Sequence, residues 1–151
     1  MQKITPFLWF NGNAEEAMKF YVSIFKNSKV VSTIPGPNGT VMGATFQLEG
    51  QEFQALNGGR QFAFTPAISL FVSCETQAEV DELWGKLTQG GTEEPCGWLK
   101  DRFGLSWQII PRALGRMLGD KDREKANRAM QAMLKMKKLD IAKLEQAFNQ
   151  G

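Results

Sequence analysis

The sequence predicts an α+β protein: two βαβββ modules in tandem, then a C-terminal helical extension. Three observations carry this expectation. A strand, helix and three strands over about residues 1–59 recur over about 66–111. The segment Cys96–Pro111 reads as two antiparallel strands joined by a tight turn, which closes the second module. After Pro111 the alternation stops, and residues 112–151 form a basic stretch with helical spacing.

In module one, Ile4–Phe10 is rich in aromatic and branched residues and predicts a strand. Asn11-Gly12-Asn13 breaks it, with Asn13 placed to cap the next element. From Ala14 to Phe25 the apolar residues Ala17, Met18, Tyr21, Val22 and Phe25 recur at helical spacing. Val30–Ile34 predicts a short strand and Pro35–Gly39 a loop. Val41–Leu48 and Glu52–Leu56 predict a hairpin across Glu49-Gly50-Gln51.

Asn57–Pro66 connects the modules. Ala67–Ser73 predicts a strand with Ile68, Leu70 and Val72 on one face and Ala67, Ser69, Phe71 and Ser73 on the other. Thr76 and Glu79 stand in capping-box positions ahead of a helix whose buried stripe is Val80, Leu83, Trp84 and Leu87, ended by Gly90-Gly91. Up to three short strands come after it. In the last turn Asp101 can bond the backbone ahead of it, and Gly104 can take the positive φ that closes it. On the final strand Trp107 and Ile109 point one way, and Ser106, Gln108 and Ile110 the other. In the extension, Asp120 or Asp122 caps a helix to about Lys138, with Ala126, Ala129, Met130, Met133 and Met136 on one face. Asp140 starts a last helix carrying Ile141, Leu144 and Phe148.

With 151 residues, 42% hydrophobic and 23% charged, the chain suits one globular domain or two small fused modules. No apolar run approaches the roughly 20 residues of a membrane span. Met1–Pro6 has no signal-peptide core, so a cytoplasmic location is expected. Cys74 and Cys96 are the only cysteines, expected as free buried or half-buried thiols, with a redox pair open if their strands adjoin. The absence of histidine excludes Ser-His-Asp and Cys-His catalysis and His-ligated metals. Residues 1–111 hold 8 Lys/Arg against 11 Asp/Glu, and residues 112–151 hold 10 against 5. That basic tail raises nucleic acid as a partner. Yet Arg123, Lys125 and Arg128 alternate with Asp120, Asp122 and Glu124, the pattern of a solvated helix, so no nucleic-acid partner is expected.

Phe7, Trp9, Phe71, Trp98 and Gln108 can line a pocket for a flat or apolar small molecule, or the aromatics can simply fill the core. Gln108, a polar amide on an inward strand face, must find a partner, either in a ligand or in a buried network. Asp101 reads as a turn residue rather than a catalytic acid.

The repeat, the start Ile4–Ala17 with Phe20-Tyr21, and the segment Trp98–Pro111 resemble the PhnB-like branch of the glyoxalase/bleomycin-resistance/dihydroxybiphenyl dioxygenase superfamily, the vicinal oxygen chelate fold. Ala126–Leu139 looks like the extension of one subgroup of that branch. The resemblance implies paired βαβββ modules around a cup-shaped site, and a homodimer. Members often carry the label 3-demethylubiquinone-9 3-methyltransferase. In metal-dependent relatives four side chains in the cup bind a divalent ion. Carried over, these positions fall at Thr5, at Ala67, at Gln108 and within Phe53–Asn57, where Asn57 is one candidate oxygen donor. A neutral Gln, an Asn and a hydroxyl hold a divalent ion poorly, so neither a metal nor another cofactor is expected. The label's chemistry finds no support in Asn57-Gly58-Gly59-Arg60, which precedes no helical pattern of the Rossmann type. The resulting expectation is a small-molecule binder with ligand contacts at Thr5, Phe7, Trp9, Asn57, Phe71, Trp98 and Gln108. The alternatives are an enzyme of the same superfamily with an atypical site (lyase, dioxygenase or the labelled methyltransferase) and a regulatory or nucleic-acid-interacting module using the basic tail.

Overall fold

The computed structural model describes residues 2–150. Two compact units divide the chain at Met1–Phe64 and Thr65–Gly151. Among the described residues no helix is long and apolar enough to cross a membrane.

Unit one is a four-stranded sheet in the order β1-β4-β3-β2 with one helix. Its elements are β1 (Phe7–Phe10), α1 (Ala14–Ile24), β2 (Lys29–Pro35), β3 (Val41–Leu48) and β4 (Gln51–Asn57). One face buries Leu8, Phe10, Ala44, Phe46, Leu48, Phe53 and Ala55. Against it α1 sets Ala14, Ala17, Met18, Tyr21 and Ile24, and the small Ala14 and Ala17 have no exposed surface. Phe46 stacks on Phe53 with ring centroids 5.5 Å apart. The β3–β4 hairpin turns on two residues, Glu49 (φ 51) and Gly50 (φ 81), the left-handed pair that matches strand twist.

Two expectations for this unit change. The first strand starts at Phe7, not Ile4. Ahead of it the Gln2 side chain replaces a backbone rung: its Nε2 donates to Glu52 O (2.9 Å) and its Oε1 accepts from Glu52 N (3.0 Å). Asn13 occupies the cap position but its side chain caps nothing. Asn57 does this from β4, accepting from Ala14 N (2.8 Å) through Oδ1 and donating to Val41 O (2.8 Å) through Nδ2.

Unit two repeats the plan in the order β5-β8-β7-β6. Its elements are β5 (Leu70–Cys74), α2 (Gln77–Leu87), β6 (Thr92–Glu93), β7 (Trp98–Lys100) and β8 (Ser106–Pro111). The stripe Val80, Leu83, Trp84 and Leu87 is buried as expected, with Cys74, Leu99, Trp107 and Ile109 also in the core. Thr76 accepts from Glu79 N (3.1 Å), while the Glu79 carboxylate reaches back to Glu75 N (2.7 Å). The second module's first strand begins at Leu70 rather than Ala67. Thr65 ties residues 66–68 into a turn, its Oγ1 accepting from Ala67 N and its carbonyl from Ile68 N.

Asp101 is 3% exposed and sets the β7–β8 turn. Its Oδ1 accepts from Phe103 N (2.9 Å) and Leu105 N (3.1 Å), and its Oδ2 from the Trp107 indole N–H (2.9 Å). Gly104 takes φ 88 in the same turn.

The extension holds three helices: α3 (Arg112–Leu118), α4 (Arg123–Met133) and α5 (Ile141–Asn149). Leu114, Met117, Ala129, Leu139 and Leu144 form one core with Ile110 of β8. The helices therefore belong to the second compact unit, Thr65–Gly151. α3 follows β8 directly, where no helix is expected, although Leu114, Met117 and Leu118 carry helical spacing. α4 ends at Met133, short of the expected Lys138. The carbonyls of Met136 and Lys137 instead accept from Cys96 N (2.8 Å) and Gly97 N (2.9 Å), which pulls that segment out of helical geometry. Of the apolar face of α4, Ala126 and Ala129 are buried while Met130 is 39% exposed.

These contacts set the cost of two substitutions. Asp101→Ala strands a buried indole N–H and two turn amides, and should cost about 3–5 kcal/mol in urea unfolding. Asn57→Ala should cost about 1–2 kcal/mol in the same measurement, the range for loss of a helix cap.

Candidate functional site

The second sheet brings three of the expected ligand residues into one row. Phe71 of β5 is level with Gln108 of β8, which is level with Trp98 of β7. All three lie on the face opposite α2. Phe71 is 58% exposed, and Trp98 and Gln108 are half-buried. Gln108 Nε2 donates to Ser69 Oγ at 3.0 Å. An amide that must be partnered is thus partnered by a hydroxyl, with its carbonyl oxygen as remaining acceptor capacity.

The first sheet presents Phe7 and Trp9 on the face opposite α1, level with Gln54 and Leu56 of β4. Phe7 is 56% exposed. Trp9 is held from the connection segment. Its indole N–H donates to Gly59 O (3.0 Å), and Phe62 meets the ring edge-on at 5.0 Å. A side chain at Gly58 would stand 2.3 Å from the indole, so only glycine lets that segment close on the ring. Thr5, two residues ahead of β1, is half-buried, with Gln2 Nε2 3.5 Å from its Oγ1. Asn57 is level with Phe10 on the helix face, where both ends of its amide hold α1 and β3.

Strand register fixes what spacing left open. Within Phe53–Asn57, Phe53, Ala55 and Asn57 share the helix face, which leaves Gln54 and Leu56 for the open one. Phe7 pairs with Gln54 as Phe71 pairs with Gln108. By this repeat the counterpart of Thr5 is Ser69, and not Ala67, which sits in the turn before β5. Each module thus carries a hydroxyl and a glutamine at matching positions: Thr5 with Gln54, and Ser69 with Gln108. Spacing alone missed Ser69 and Gln54. The signal available was alternation, since Ser69 is in step with Phe71, and Gln54 is out of step with buried Phe53 and Ala55.

These four side chains are neutral, with no carboxylate, thiolate or imidazole among them. Among the described residues no three of His, Cys, Asp or Glu converge where they could hold a metal ion. This donor set does not fit the divalent ion of the metal-dependent relatives.

Part of the extension's charge is engaged within the protein. Arg123 donates to Leu118 O and Asp120 O just beyond α3, and Arg128 to Ala147 O and Phe148 O at the end of α5. Both place a cation where helix carbonyls are unpaired. Lys138 pairs with Asp81 at 3.0 Å. The Gln77 amide, and after it Lys138, hold the Asp81 carboxyl below the usual carboxylate range. A cleft of about 450 Å³ beside these residues includes Lys135, Asp140 and Lys143 in its lining and none of the expected ligand contacts.

The family model of the 3-demethylubiquinone-9 3-methyltransferases matches residues 2–110. The chain belongs to this PhnB-like family. A PhnB protein of Bacillus cereus, described as a 3-demethylubiquinone-9 3-methyltransferase, is 44% identical. The match covers 73% of this chain and 99% of that one, with a TM-score of 0.68. A protein of Pseudomonas aeruginosa is 21% identical over 74% of this chain and 98% of its own, with a TM-score of 0.60. The fosfomycin resistance protein FosX of Listeria monocytogenes, in complex with Mn(II) and sulfate, is 15% identical. That match covers 70% of this chain and 88% of FosX, with a TM-score of 0.53. The fold is the βαβββ fold of the glyoxalase/bleomycin-resistance superfamily. No curated protein matches the sequence. α3, α4 and α5 of this PhnB-like chain lie beyond the residues the family model matches.

Of the two thiols of this PhnB-like protein, Cys74 is fully buried and Cys96 half-buried. Burial first, then the Glu79 carboxylate, push the Cys74 thiol up to about 12 from an ordinary 9.0. An unfolded chain would give up that proton first, so folding stability should fall as pH rises from about 9 towards 12. At pH 8 the folded protein should expose one thiol per chain to Ellman's reagent, and two in urea. Two reactive thiols in the native state would contradict the burial of Cys74.

Proposed function

We propose that this PhnB-like protein binds a small molecule on the open faces of its βαβββ sheets, without a His-ligated metal. The observation that carries the reading is the row Phe71–Gln108–Trp98, with Gln108 bonded to Ser69. Two aromatic side chains flank a polar pair, the composition of a site that takes a flat body and orients it by a few hydrogen bonds. A carboxamide takes up no proton near neutral pH, so the pair positions a ligand and is not a general base. A homodimer belongs to the same reading. β2 supports it, as an edge strand exposed along all seven residues that carries Val30, Val31 and Ile34.

Native mass spectrometry of protein purified without chelator or added metal tests both parts. The expected result is a metal-free dimer, with any organic passenger lost in Gln108→Ala. That variant should cost only about 1 kcal/mol of stability, the value of one hydrogen bond at a half-buried site. One divalent ion per subunit would overturn the metal-free reading, and a monomer the dimer.

A further inference from the structure

One buried polar atom among the described residues has no partner: the hydroxyl of Ser106. Ser106 begins β8 and has no exposed surface. Its side chain shares the open face with Gln108, two residues along the strand. Lys100 of β7 stands directly opposite it, and Thr92 of β6 opposite Lys100. On the other side, the parallel register of Leu70 with Trp107 brings Ser69 level with Ser106. The row next to the Phe71–Gln108–Trp98 row is therefore Ser69, Ser106, Lys100 and Thr92: three hydroxyls and a cation.

Lys100 is half-buried and makes no ion pair among the described residues. On the same face the nearest carboxylate in register is Glu94, whose N–H donates to Trp98 O, one row away, while Glu93, opposite Leu99, turns to the other face and accepts from the Trp84 indole. Ser69 Oγ already accepts from Gln108, so its own hydrogen is free to be donated. Three unused donors thus stand in one row: the Lys100 ammonium, the Ser69 O–H and the Ser106 O–H. The buried unsatisfied hydroxyl costs stability, and a ligand oxyanion would satisfy it while pairing with the Lys100 ammonium through charge-assisted hydrogen bonds.

We propose that Lys100, Ser106 and Ser69 form the oxyanion end of the ligand site on the second sheet. The ligand class is then a flat apolar molecule bearing a carboxylate or similar oxyanion, its body against Phe71 and Trp98. Reaching a hydroxyl with no exposed surface requires a side chain to move, and Lys100, unpaired and directly opposite, is free to do so. The inference rests on the proposed small-molecule function and narrows it.

The test uses the full chain and three probes: benzoate, benzamide of the same shape without charge, and inorganic phosphate without a ring. Binding is read by thermal shift and by NMR of the Trp98 indole and Gln108 side-chain amide. Benzoate should perturb both signals and bind more tightly than either other probe. Lys100→Gln and Ser106→Ala should each weaken benzoate roughly tenfold, the effect of losing one charge-assisted contact. Without any probe, Ser106→Ala should melt at the same temperature as the parent or higher, because it removes an unsatisfied group. A drop of several degrees would mean that the hydroxyl has a structural partner, and would overturn the proposal. Benzamide binding as well as benzoate would also overturn it while leaving the small-molecule reading intact. Silence of both signals towards benzoate and benzamide would overturn both.

Discussion

The Asp101 carboxylate fixes the geometry on which the second sheet depends. A buried charge is tolerated only where its oxygens are fully engaged, and here two turn amides and an indole N–H engage them. The same bonds shape the turn, anchor Trp107 in the core and set β7 against β8. Slippage by one residue would carry every side chain of β8 to the other face. Gln108 and Ser106 would then turn towards α2, and Trp107 would leave the core. The polar row on the open face exists because one turn carboxylate holds the register.

Much of the fold is legible in the residues. The repeat, both module helices and the capping box all come from spacing and side-chain chemistry, and the structure keeps them. Three of the elements that differ share one cause: a side chain or backbone group from far along the chain takes over a local task. Asn57 caps α1 in place of Asn13, the Gln2 amide stands in for a rung that Ile4–Pro6 would have made, and Cys96 and Gly97 draw off carbonyls that would have continued α4. Sequence distance hides such substitutions, because the partners lie tens of residues apart and neither carries a motif.

The candidate site is legible in the same uneven way. Phe71, Trp98 and Gln108 share a row because alternation places them there. Thr5 keeps its place ahead of β1. Asn57 sits on the helix face, where its amide bonds Ala14 and Val41, and Ser69 and Gln54 enter only once strand register is known. The internal repeat is what makes the register informative, since a hydroxyl–glutamine pair recurs in both modules. Family membership extends this picture over residues 2–110 without supplying a metal-binding donor set.

The extension bears on how this chain could have arisen. Gly97 has φ 83, and a Cβ there would lie 2.9 Å from Ile110 Cδ1 and 3.0 Å from Leu139 Cδ1. Gln77, on a different element, donates to Leu139 O and accepts from Ile141 N. Residues 112–151 are therefore not a cassette that could be moved to a shorter relative by gene fusion alone. A host would need the bare glycine, the glutamine at the head of α2 and an apolar residue at the end of β8 before the helices found a seat. Tail and body pack as one unit, and removal of residues 112–151 would uncover the apolar side chain of Ile110 at the end of β8.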